Sequence, residues 1–174
     1  MSRKLSVSLS LALLFLAFDL RAQEVNIEFD ETTDFTQFKT FAIREGHITS
    51  RAPALNSPLT KKRLQAEIEK ALTSRGLSAT EGAADLDVSW EFGSARKLDT
   101  QAYPTGWHGR GTRVVQVQKS EGTLVVDLLA TSTKQLVWRG IAADSERNPQ
   151  KLADKLDNLA KKSIGKYPPK NKKK

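Results

Sequence analysis

The stretch from Gly122 to Ala142, GTLVVDLLATSTKQLVWRGIA, constrains the fold more than any other part of the chain. It reads as two strands on either side of a short polar turn at Thr131 to Lys134. In the first strand Leu124, Val126, Leu128 and Ala130 share one face, with Asp127 on the other. In the second, Leu136, Trp138 and Gly140 fall on one face, and Val137, Arg139 and Ile141 on the other. A period of two, rich in β-branched and aromatic residues and bounded by Gly, Ser and Thr, predicts a β-hairpin. The remaining segments must cover or extend it.

Val25, Ile27 and Phe29 alternate with Asn26, Glu28 and Asp30, which predicts an earlier strand. Phe35 and Phe38 are expected in a turn, followed by a short strand holding Phe41 and Ile43. Glu45 to Asn56 has no periodicity and reads as a loop. Ser57 then caps a helix with Pro58 at its first position, and Leu64, Ile68, Ala71 and Leu72 form its apolar stripe. Gly76 ends that helix and lets Leu77 fold back onto Leu72. The clearest single strand carries Leu86, Val88, Trp90 and Phe92 on one face and Asp87, Ser89 and Glu91 on the other. Lys97 to Arg113 reads as a glycine-rich loop, Val114 to Lys119 as a strand, and Ser120-Glu121-Gly122 as a turn into the hairpin. A second helix starts at the Asn148 cap and Pro149, buries Leu152, Leu156, Leu159 and Ala160, and stops at Gly165.

The order is β-β-α-β-β-β-β-α. Strands cluster, and helices do not alternate with them one for one. The expected fold is therefore α+β: a mostly antiparallel sheet with two helices packed on one face. At 174 residues, a single domain of this kind buries enough surface to hold together without a metal or disulfide.

The first residues bear on location. Arg3 and Lys4 precede an apolar run from Leu5 to Phe18, and Leu20-Arg21-Ala22 offers a small residue before a cut. That is the pattern of a secretory signal peptide cleaved after Ala22. The apolar run falls short of the roughly 20 residues needed to span a bilayer. The expected organisation is a signal peptide over 1–22, one α+β domain over 23–169 and a basic tail over 170–174. The mature chain is expected in the periplasm or secreted, with no transmembrane anchor. Much of the +8 formal charge lies in C-terminal lysines. No aromatic residue lies among Lys170 to Lys174 to stack on bases, so a solvated tail is expected rather than a nucleic-acid site.

Several short motifs occur in a telling order: DFTQFKTFA from Asp34, ADLDV from Ala84, GTLVVDL from Gly122, LVWRG from Leu136 and Tyr167-Pro168-Pro169. In this order they resemble the bacterial envelope proteins known as domain of unknown function 4136. The resemblance implies a bacterial, extracytoplasmic α+β domain, often lipid-anchored, with no established activity and no catalytic residues to carry over. This chain departs from the pattern in having no cysteine for lipid attachment.

Chemistry-bearing patterns are few. The chain lacks cysteine, which removes thiolate nucleophiles and cysteine-based zinc sites. His47 and His108 have no ligand partners at metal spacing, and no nucleophile elbow, phosphate loop or dinucleotide fingerprint occurs. No cofactor or metal is expected. Asp87, Glu91 and Asp127 share the outer sheet face, where water and an ordinary pKa are expected. Trp90 and Trp138 lie on apolar strand faces and are expected in the core. Trp107 and Tyr103 sit between them in the glycine-rich stretch, beside His108, Arg110 and Arg113. These five residues form the expected contact site of a non-enzymatic module that binds an envelope protein or a glycan of the cell wall. The alternative reading is a small periplasmic hydrolase with an unrecognised site.

Overall fold

The computed structural model describes residues 25–105 and 111–170. The expected signal peptide and most of the lysine tail lie outside them. Nine elements follow in order: β1 (Val25–Phe29), β2 (Thr40–Thr49), α1 (Pro58–Thr73), β3 (Ser78–Ala79), β4 (Leu86–Thr105), β5 (Gly111–Ala130), β6 (Gln135–Glu146), α2 (Pro149–Asp154) and α3 (Leu156–Ile164). A single 3-10 turn at Phe35–Gln37 joins β1 to β2.

The strands form one sheet in the order β1-β6-β5-β4-β2-β3. Pairing is antiparallel from β1 through β6 and β5 to β4. It is parallel where β2 meets β4 and β3. The sheet is thus mixed. The parallel pairing follows from α1, which carries the chain from β2 back to the start of β4, as a crossover helix must.

The alternation places the core as expected. Leu86, Val88, Trp90 and Phe92 of β4 and Leu124, Val126, Leu128 and Ala130 of β5 are buried on one face. All three helices pack there, with Leu64, Ile68 and Leu72 of α1 and Leu152, Leu156, Leu159 and Ile164 of α2 and α3 in the same apolar cluster. Burying each such side chain contributes about 1.5–3 kcal/mol. A cap contributes about 1 kcal/mol, so packing rather than capping holds α1 down. The caps set its ends. The Thr60 N–H donates to Ser57 Oγ at 3.1 Å. At the other end Gly76 adopts φ +88°, the Leu77 N–H reaches the Leu72 carbonyl, and the Gly76 N–H reaches that of Thr73, the bond pair of a Schellman stop.

The structure corrects the expectations at several points. Lys97 to Arg113 is not a loop: β4 continues to Thr105 and β5 begins at Gly111. No turn occurs at Ser120–Gly122, because the expected strand at Val114 and the first hairpin strand are one element, β5. β2 runs on to Thr49, past a bulge at Arg44. In β6 the register shifts between Leu128 and Leu129, so Val137 is the extra residue. Trp138 therefore keeps the core face, Val137 is buried as well, and Leu136 is exposed. The second helix breaks at Lys155 into α2 and α3.

Candidate functional site

β4 and β5 outrun their neighbours. β2 stops pairing with β4 at Gly93, and β6 stops pairing with β5 at Ser120. From Lys97↔Lys119 to Thr105↔Gly111 the two strands pair only with each other. At about 3.4 Å per residue, this ribbon extends roughly 27 Å beyond its last neighbouring strand.

One face of the ribbon continues the outer face of the sheet. Here Tyr103 lies directly across from Arg113, Gln101 from Val115, Asp99 from Val117 and Lys97 from Lys119. The side chains form a chain of polar contacts. Tyr103 Oη donates to Gln101 Oε1 at 2.5 Å, and Arg147, just past β6, donates to the same oxygen at 3.0 Å. Gln101 Nε2 donates to Asp99 Oδ2 at 3.3 Å. Asp99 also pairs with Lys119, and Lys97 pairs with Glu121 at 2.9 Å. The hydrogen bond and charge of Lys119 hold the Asp99 carboxyl below its ordinary pKa. The other face continues the core face but has run past the helices. Leu98 is 64% exposed and Val114 is 62% exposed.

Of the five expected contact residues, the structure sets Tyr103 and Arg113 opposite one another. Trp107, His108 and Arg110 fall in 106–110, outside the described residues. Sequence reasoning missed Leu98, Val114 and Arg147. Two strand-length runs on either side of a glycine-rich centre are themselves a signal for a long hairpin.

Two of the outer-face carboxylates, Asp87 and Asp127, are held by cations. Asp87 accepts from Arg44 at 2.8 Å and from Lys134 at 2.6 Å, and those hydrogen bonds lower its pKa rather than leaving it ordinary. Asp127 accepts two bonds at 2.7 Å from the facing Arg139, which raises the guanidinium pKa further. Glu91 accepts from Thr49 Oγ1 at 3.3 Å. A carboxyl whose pKa is lowered by paired cations, as at Asp87, is poorly suited to act as a general acid at neutral pH. Trp90 and Trp138 are buried, as expected. Among the described residues no three His, Asp or Glu side chains gather as a metal-binding group.

These features define an α+β domain: one curled sheet, helices on one face and a two-stranded arm. The chain belongs to the family described as a domain of unknown function, DUF4136, whose pattern matches residues 25–169. A DUF4136 family protein from Bacteroides thetaiotaomicron has a similar structure, with a TM-score of 0.54 at 12% identity over 84% of this chain and 96% of that one. A PDZ domain protein from Parabacteroides distasonis gives 0.55 at 13% identity over 83% of this chain, which spans only 35% of that protein. The subunit of a PelC dodecamer from Paraburkholderia phytofirmans gives 0.50 at 13% identity, covering 81% and 96% of the two chains. At these identities the likeness is one of fold. No curated protein matches the chain in sequence.

Proposed function

We propose that this chain is a non-enzymatic periplasmic module that binds an envelope protein or cell-wall component through the β4–β5 ribbon. The observation that carries the reading is the uncovered length of that ribbon, from Lys97↔Lys119 to Thr105↔Gly111. An isolated two-stranded hairpin is at best marginally stable in water. It also leaves backbone donors and acceptors open along both edges. A partner that covers Leu98 and Val114 and pairs along an edge would satisfy both. The basic start and apolar run of the first 22 residues support export.

Capture from envelope extract tests the reading. The wild-type chain is expected to retain a specific protein or glycan that a Tyr103→Ala, Trp107→Ala, Arg110→Ala variant loses. Retention of the same material by both would remove the ribbon from the account.

A further inference from the structure

β1 ends the sheet, so only one of its backbone edges is paired within it. The Asp30 N–H donates to the Val137 carbonyl at 3.1 Å, and Phe29 stands opposite Trp138. Backbone groups alternate in direction along a strand. Asn26 and Glu28 therefore point toward β6 with Asp30, and Val25, Ile27 and Phe29 point their N–H and C=O groups outward. Lys166 Nζ caps the outward Val25 carbonyl at 3.4 Å. The outward groups of Ile27 and Phe29 have no partner among the described residues.

A groove of about 1040 Å³ runs beside this edge. Half-buried Ile27 and Phe29 form one wall, and Pro168 and Pro169 form part of the other. Its charged lining is Arg75, Lys166 and Lys170 against the single carboxylate of Glu31. No bulge interrupts β1, and no proline lies within it.

We infer that this edge is a second docking site, separate from the ribbon, that takes an extended acidic peptide as an added strand beside β1. Strand addition supplies main-chain hydrogen bonds and reads alternate side chains in pockets along the edge. Ile27 and Phe29, two residues apart, have the spacing such alternate side chains need. The excess of cations selects for carboxylates between the apolar residues.

The test titrates the full chain with a capped synthetic peptide of alternating valine and glutamate, using the valine–lysine peptide as control. Hydrogen exchange reads the Ile27 and Phe29 amides. The acidic peptide is expected to bind at least about tenfold more tightly than the basic one and to weaken with salt. It should also slow exchange at both amides. The double variant Arg75→Glu, Lys166→Glu should lower its affinity roughly tenfold. Ile27→Pro should abolish binding, because it removes an outward donor and spares pairing with β6. Equal binding of the two peptides, or unchanged exchange at Ile27 and Phe29 in the wild-type chain, overturns the proposal whatever the proline variant does. Self-association that Ile27→Pro abolishes would overturn it too, because a second copy of this chain would then be the occupant.

Discussion

Gly140 and Ser163 meet backbone to backbone: the Ser163 carbonyl oxygen of α3 fills the space that a β-carbon on Gly140 of β6 would need. The Trp138 ring crowds the same position. This close approach seats α3 on the sheet. It explains a glycine in a strand, where the residue otherwise weakens pairing. Gly140→Ala should destabilise the domain by about 2–3 kcal/mol, in the upper range for overpacked cores. A fall in Tm of roughly 4–12 °C, read by circular dichroism, checks it.

Tyr167 packs edge-on against Phe35 and Trp138, with ring centroids 5.9 and 5.7 Å away. Its hydroxyl is buried without a hydrogen-bond partner, and burial pushes its pKa up to about 12. Removing an unpaired buried hydroxyl costs little or stabilises. Tyr167→Phe should therefore leave Tm unchanged or raise it, and Tyr167→Ala should cost about 3–5 kcal/mol. Chemical denaturation of the two variants gives the comparison.

Asp85 accepts from the Lys39 and Thr40 backbone N–H groups and from Thr40 Oγ1, all at 2.8–2.9 Å. Those bonds lower its pKa, and the hydrogen bonds of Lys134 and Arg44 lower that of Asp87. A carboxyl whose pKa is depressed in the folded state binds its proton more readily when unfolded. Its contribution is complete above the unfolded value of about 3.9 and is lost as pH falls through the lower folded value. Stability should thus be flat in this respect near neutral pH and drop below about pH 4. Asp85→Asn and Asp87→Asn should each flatten the drop in acid titrations of Tm.

Arg139 and Asp127 face each other across β6 and β5 with two parallel bonds. Asp127 is largely shielded and Arg139 about one-third exposed. A double-mutant cycle to alanine should give a coupling of about 0.5–1 kcal/mol, smaller in high salt. Arg139→Lys should not restore it, because an ammonium cannot make the paired bonds.

The fold was legible where large apolar side chains mark the buried face, and not at Gly46 or at Ser120 to Gly122, where the buried positions are glycine or serine. The faces of Leu86 to Phe92 and Leu124 to Ala130 and the stripe from Leu64 to Leu72 all lie where alternation or helical spacing puts them. Caps at Ser57 and Asn148 were legible for the same local reason. The ribbon was not, because alternation records a core and the ribbon has none. Lys97 to Thr105 has no fully buried position: Asp99 and Gln101 are half-buried and polar, and Leu98 lies on the exposed face, so the residue types carry no apolar period. The parallel pairing of β2 with β4 and the extra residue at Val137 depend on contacts far apart in the chain. Tyr103 and Arg113 were legible as candidates by type, and their register became visible only once both strands were placed.

The most direct test of the central claim is site-specific photocrosslinking in the living cell. A crosslinking amino acid would be placed at Tyr103 or Val114 of the ribbon and, as a control, at Lys61 on α1. The account predicts one discrete crosslinked species from both ribbon positions and none from Lys61. Absence of any product from the ribbon, or the same products from Lys61, would contradict it.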